Sequence, residues 1–216
     1  MVYNLSDQQS LITQWVSEIR DIDIQKDRLR FRRNMERIAE VAAYEISKQL
    51  PFITRNVITP LGESETLVIE EQPVLATILR AGVPMHNGLL NFFDKADSAF
   101  IAAYRKHHRD GSFEIEQHYI TCPPLKGRPL IIADPMLATG ASLILALETL
   151  LHYGMPAQIH IVSAIACSEG IENVERKFPE ASIWAATIDE ELTARGYIVP
   201  GLGDAGDLAF GSKEQF

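Results

Sequence analysis

The sequence predicts an α/β protein built on an open, mainly parallel sheet flanked by helices, with an N-terminal helical region, a small β-hairpin and a C-terminal hood. Two observations carry this reading. From Pro73 onward the apolar runs VLATIL, SAFIAAY, PLIIAD, AQIHIVSAIA and ASIWAATI alternate with segments of helical spacing, the pattern of strands buried on both faces and joined by helical crossovers. The length of 216 residues and a hydrophobic content of 46% suit a single domain with ample core. Along it we divide N-terminal helices at 1–50, a hairpin at 52–70, the α/β core at 73–190 and the hood at 191–216.

Ser6 or Asp7 is the expected cap of a first helix, in which Leu11, Ile12, Trp15, Val16 and Ile19 recur at helical spacing. A second helix, Arg28 to Gln49, carries Phe31, Met35, Ile38, Ala42 and Ile46 on one side and stops before Pro51. FITRNVITPLGESETLVIE then reads as two short strands around a Pro-Leu-Gly turn. In the α/β region that follows, ligands of open sheets bind beyond the carboxyl ends of the strands, so the residues after each apolar run are the ones to inspect.

The formal charge of −9, with basic residues scattered or in short clusters, weighs against a nucleic-acid surface. An anionic ligand would need the few cations concentrated locally. Cys122 and Cys167 form no disulfide framework and fit a reducing compartment. The N-terminus lacks a basic start or apolar run, and no charge-free segment approaches the ~20 residues that span a bilayer; the expectation is a soluble, cytoplasmic protein without membrane contact. The histidines and cysteines show no metal-ligand spacing, and no metal ligand is assigned.

In PLIIADPMLATGASLILALETLL a buried strand ends at Asp134, a loop of small residues follows, and a helix starts at Ala141 with Leu143, Ile144, Leu147 and Leu150 facing inward. Thr139, Gly140, Ala141 and Ser142 thus fall at a helix N-terminus, where unpaired N–H groups and the positive end of the dipole hold a phosphate. An ordinary strand-turn-helix with Thr139 as cap is the alternative. A carboxylate just before such a cup suits a sugar phosphate, because it accepts hydrogen bonds from ribose hydroxyls while amides hold the phosphate. A second motif, Gly201-Leu-Gly203-Asp-Ala-Gly206, spells a dinucleotide turn. The sequence ends at Phe216, which leaves no room for the helix and second strand that give this spelling its meaning.

IIADPMLATGAS resembles the phosphoribosyl pyrophosphate (PRPP) loop of type I phosphoribosyltransferases, and D-P-M-L-A-T-G is similar to the spelling in the uracil-specific members. ILRAGVPM, AYRKH and GYIVPGLGDAGDLAFGSK follow the same family in order, so the resemblance runs from about residue 26 to the C-terminus. It implies the type I phosphoribosyltransferase fold and a pyrimidine-salvage activity converting uracil and PRPP to UMP and diphosphate. Catalytic roles fall by the resemblance on Arg80, Arg105 and Asp204. PRPP would be bound by these three with Asp134, Pro135, Met136, Leu137, Ala138, Thr139, Gly140, Ala141 and Ser142. Uracil would be read by Tyr197, Ile198, Gly203, Asp204 and Ala205, mostly through main-chain groups that glycines leave unobstructed.

RKHHRDG, beginning at Arg105, reads as a flap over the anion. Mg²⁺ is expected to arrive on PRPP, and the protein to be a homo-oligomer, a dimer or higher. Two positions depart from the family pattern. Ala141 stands where a second glycine is common, and its methyl fits only if φ stays negative. Leu208 stands where a basic residue is common, removing a candidate ion pair from the hood. A PRPP-sensing regulator and a transferase for another base are the rival readings.

Overall fold

The computed structural model describes residues 1–107 and 113–213, and for 103–107 and 113–118 the backbone alone. In chain order the elements are β1 (Val2–Asn4), α1 (Leu11–Arg20), α2 (Arg28–Ser47), β2 (Phe52–Thr59), β3 (Gly62–Ile69), β4 (Val74–Leu79), α3 (Val83–Phe92), β5 (Asp97–His107) and β6 (Phe113–Thr121). There follow β7 (Pro129–Ala133), β8 (Met136–Leu137), α4 (Ala141–Leu150), β9 (Gln158–Cys167), α5 (Ser168–Lys177), β10 (Ser182–Asp189), β11 (Glu191–Leu192), β12 (Ile198–Val199) and α6 (Ala205–Phe210).

Among the described residues one eight-stranded sheet has the order β1-β10-β9-β7-β4-β5-β6, with β8 paired to β9 off this path. Each pairing is parallel except that of β6 with β5. This is the open, mainly parallel α/β sheet that the apolar runs predict. Successive residues of a strand point to opposite faces, and the core divides accordingly. Leu75, Ile131 and Val162 pack with the buried sides of α1, α2 and α3. Val74, Ala76, Leu130, Ile132 and Ile161 pack with Leu143, Leu147 and Leu150 of α4 and with Ile171 and Val174 of α5.

The N-terminal region differs from expectation in two ways. Ser10 caps α1, its side chain accepting from the Ile12 N–H, whereas Ser6 donates its hydroxyl to the Ala186 carbonyl. Val2–Asn4 forms an edge strand in register with Ile183, Trp184 and Ala185, so the first residues belong to the sheet and not to a helical region. Three residues make no apolar run; this strand comes from its partner and from Tyr3, whose ring stacks on Trp184 at 3.9 Å. The α2 helix follows the predicted pattern, with Phe31, Met35, Ile38, Ala42 and Ile46 all buried, and Asp27 caps it by accepting from the Leu29 and Arg30 N–H groups. The hairpin β2–β3 is paired along its whole length but exposed for nearly all of it.

A polar knot joins α1 to α2. Glu18, only 8% exposed, accepts from Arg30 Nε and Nη2 at 2.8 Å each, from Asn34 Nδ2 at 2.7 Å and from Gln14 Nε2 at 3.2 Å. The Arg30 hydrogen bonds, then that of Asn34, hold its carboxyl down from 4.5 to about 2 against the opposing effect of burial. A carboxyl depressed in the folded state stabilises the fold above its unfolded value, and that contribution disappears as pH falls from 4.5 to about 2. Glu18→Gln is expected to lower unfolding free energy by about 1–2 kcal/mol at neutral pH, discounted because Arg30 is partly exposed. Urea titrations at a series of pH values check this: the gap between wild type and variant narrows through that acid window.

Candidate active site

Strands β4 and β7 are parallel neighbours, with Thr77 opposite Ala133. From β4 the chain crosses to β5 on one side, while β7 lies on the other, so the loops after β4 and β7 diverge and open a crevice at a topological switch point. Arg80 follows β4 and Asp134 follows β7, which sets a cation and an acid at adjacent carboxyl ends. Close packing holds the β4 loop against the end of β7. A Cβ at Gly82 would lie 2.1 Å from Thr77 Oγ1 and 2.8 Å from the Ala133 carbonyl oxygen, so only glycine lets the β4 loop approach. The Leu79–Arg80 peptide is cis.

The segment from Asp134 to Ser142 runs from the end of β7 through β8 and a turn into α4, with Thr139 Oγ1 accepting from the Ala141 N–H at 3.4 Å. Its main chain is pinned from below: the Asp134 N–H donates to the Val162 carbonyl at 3.0 Å, Ser163 Oγ to the Asp134 carbonyl at 2.7 Å, and the Ile165 N–H to the Pro135 carbonyl at 3.0 Å. From α5, Asn173 Nδ2 donates to the Thr139 carbonyl at 3.1 Å. Gly140, at φ 79°, turns the chain into α4. Pro135, Leu137 and Ala138 are buried and Met136 half-buried, so the side chains of this stretch serve packing and the main chain is what it can offer a ligand. Ala141 and Ser142 occupy the first turn of α4, and among the described residues no non-glycine residue has positive φ. The condition for tolerating Ala141 is met.

The hood differs from the sequence reading in one respect: the Gly201–Gly206 motif does open a helix, the six-residue α6. Among the described residues no strand follows it. Asp204 caps α6, its Oδ1 accepting from the Asp207 N–H at 3.0 Å, while Oδ2 faces Lys213 Nζ at 3.6 Å. Arg80 Nη2 donates to Asp207 Oδ1 at 2.6 Å and to the Gly211 carbonyl at 2.7 Å. A Cβ at Gly206 would touch both Asp204 and Arg80 Nε, at 3.2 and 3.6 Å. Thus Arg80 and Asp204, distant in sequence, meet around Gly206. Tyr197 is half exposed, Ile198 and Ala205 are buried, and Gly203, at φ 96°, leaves open space where a Cβ would be. Leu208 is half-buried against the core on the α1–α3 side, which explains how an apolar residue is accommodated there.

Sequence reasoning assigned no role to Asp207, Lys213, Arg20, Arg32 or Asp189. Asp207 and Lys213 lie inside the quoted GYIVPGLGDAGDLAFGSK; the others carry no local signal. Arg105 lies on β5 opposite Ile115 of β6; its side chain, and residues 108–112 of the expected flap, fall outside the described residues.

A family model described as uracil phosphoribosyltransferase matches residues 6–212. A curated uracil phosphoribosyltransferase of Porphyromonas gingivalis is 51% identical over 213 residues, covering 98% of this chain and 99% of that protein. One from Pyrococcus furiosus is 39% identical, covering 97% and 90% respectively. Among solved structures, a protein from Aquifex aeolicus superposes with a TM-score of 0.87 at 32% identity, covering 98% of each chain. Because the matched residues take in the hood as well as the sheet and the cup, the match reaches every part of the crevice, and the chain belongs to the uracil phosphoribosyltransferase family.

Proposed function

We propose that this enzyme transfers the phosphoribosyl group of PRPP to N1 of uracil, yielding UMP and diphosphate. The observation that carries the reading is the placement of Arg80 and Asp134 on neighbouring strand ends, with the α4 cup beyond Asp134 and the glycine-rich hood tied to Arg80. In the reaction the C1′–O bond to diphosphate breaks, the C1′–N1 bond forms and the N1 proton leaves, through an oxocarbenium-like state. The first turn of α4 holds the 5′ phosphate and Asp134 accepts from the ribose hydroxyls.

Arg80 stabilises the charge that grows on the departing diphosphate. Among the described residues, both of its hydrogen bonds come from Nη2, which leaves Nε–H and the Nη1 hydrogens for that task while Asp207 fixes the plane of the guanidinium. Arg105 adds a second cation. Asp204, set on the hood beside Arg80, faces the developing positive charge of the ribose ring. Mg²⁺ enters as part of the substrate, on the diphosphate and hydroxyl oxygens of PRPP. Main-chain groups of Ile198 and Gly203–Ala205 read uracil, with Tyr197 at the rim.

The compartment we assign is the cytoplasm, and the assembly a homo-oligomer. Among the described residues no helix is long and apolar enough to cross a membrane. The β2–β3 arm carries Phe52, Val57, Ile58 and Leu67 at 46, 38, 86 and 66% exposure. An isolated two-stranded hairpin is marginally stable in water, which supports its packing against a second copy; a monomer by light scattering at micromolar concentration would discard this.

With Mg²⁺, PRPP and uracil the purified protein is expected to form UMP, resolved by chromatography, and no nucleotide from adenine, hypoxanthine, cytosine or orotate. Binding of PRPP without product from any base would favour a regulator. Arg80→Ala and Asp134→Ala should each lower kcat/KM for PRPP by about a hundredfold or more; unchanged steady-state constants would remove them from the mechanism. Gly140→Ala places a side chain at φ 79°, with its Cβ 3.0 Å from the Gly170 carbonyl, a strain of about 1–2 kcal/mol. The expected result is a KM for PRPP raised about tenfold, with the KM for uracil at saturating PRPP unchanged.

A further inference from the structure

Outside the residues assigned so far, one closed hydrogen-bond ring stands against the hood. Asp189, at the end of β10, is 7% exposed, and Arg20 is the last residue of α1. Arg20 Nη2 donates to Asp189 Oδ1 at 2.6 Å and Arg20 Nη1 to Asp189 Oδ2 at 2.8 Å. The same Nη1 donates to the Gly201 carbonyl at 3.0 Å, and the Gly201 N–H donates to Asp189 Oδ2 at 3.0 Å. Both main-chain polar groups of Gly201 are therefore held by the two members of one ion pair. Gly201 itself has φ 56°, and a Cβ on it would lie 2.2 Å from the Ile198 carbonyl oxygen, so this residue is the tight return between Ile198 and Gly203.

We propose that the Arg20–Asp189 pair is the positioning device of the uracil loop, setting from outside the pocket where the main-chain groups of Ile198 and Gly203–Ala205 stand. The inference rests on the reading of residues 197–205 as the base site. A site that reads a base with main-chain N–H and C=O groups cannot correct a misplaced backbone by choosing another rotamer, and binding groups must be held to within about 0.5 Å of their productive positions. Residues 193–204 have little regular structure to do this: among the described residues β12 is two residues long and pairs with the two residues of β11 alone. The bidentate pair supplies the missing rigidity, because a guanidinium and a carboxylate joined by two parallel bonds have one mutual geometry, and α1 and the main sheet fix both ends. The pair lies in the hood's support and not in the PRPP cup, whose main chain is pinned separately by β9 and α5.

The test separates the two substrates. In Arg20→Lys an ammonium cannot span both Asp189 oxygens and the Gly201 carbonyl; Asp189→Asn keeps the shape and loses the charge. Each is expected to raise the KM for uracil by about tenfold, with KM for PRPP and kcat within about threefold of wild type. Gly203→Ala, within the loop and at φ 96°, is the comparison and should also raise the KM for uracil. If Gly203→Ala acts on uracil and the pair variants do not, the positioning role is overturned and the base site stands. Should none of the three move the KM for uracil, the reading of the loop has failed, and the inference with it. Equal rises for both substrates, or loss of kcat in proportion to a lower Tm, would mean that the pair serves the fold alone and would overturn the proposal. Should Arg20→Lys not fold, Asp189→Asn, the isosteric change, decides.

Discussion

A buried carbonyl oxygen without a donor is a liability of a few kcal/mol, and the hood, which has little sheet or helix to satisfy its own, meets this constraint with arginine. Arg20 from α1 donates to the Gly201 carbonyl at 3.0 Å, Arg32 from α2 to that of Ala209 at 2.7 Å, and Arg80 from the β4 loop to that of Gly211 at 2.7 Å. Three guanidinium groups from three elements thus hold the segment from Gly201 to Gly211. The N-terminal helices cover a face of the sheet, and they also supply two of these three contacts. Acid groups fix the same arginines: Asp189 for Arg20 and Asp207 for Arg80.

The sheet provides the other half of the site. Parallel strands buried on both faces need a change in winding direction for a crevice to open, and here it opens between β4 and β7. Small residues then let each loop close on its neighbours: Gly82 on Thr77 of β4 and Ala133 of β7, and Ala138 on Gly170 of α5, where a Cβ would lie 2.2 Å from the Ala138 carbonyl. Apolar packing beneath determines where the strand ends stand, and glycine determines how closely their loops approach. Arg80 belongs to both halves, following a core strand and gripping the hood.

What was legible in the sequence follows the range of the interactions concerned. Strands β4, β7, β9 and β10 are long apolar runs, and α2 and α4 are periodic, so each announces itself locally. The cup was legible because a strand, a turn and a helix start are contiguous. β1 was not, since three residues become a strand only when residues 182–185 pair with them. The helix α6 was missed because a six-residue helix capped by Asp204 needs no room beyond itself. Arg20 and Asp189 lie 169 residues apart; on a helix end and after a strand they look like solvated charges, and no spacing rule links them. The run of arginines from Arg28 to Arg37 likewise reads as a solvated helix face, although Arg32 reaches the Ala209 carbonyl and Arg30 reaches Glu18.

The edge strand β1 and the ring at Gly201 share a consequence for how the molecule is made. Val2 pairs with Ile183, and Arg20 closes on Gly201 across 181 residues, so both contacts are of very long range. Contacts of such separation slow folding, because a long loop must be ordered before its closing contacts form. α1 closes on α2 at short range through Glu18 and Arg30, whereas its grip on the hood, like the pairing of β1, needs the far end of the chain. The loop at 134–139 is held by contacts 29 and 34 residues apart, the hood by one of 181, so contact separation favours the former closing ahead of the latter.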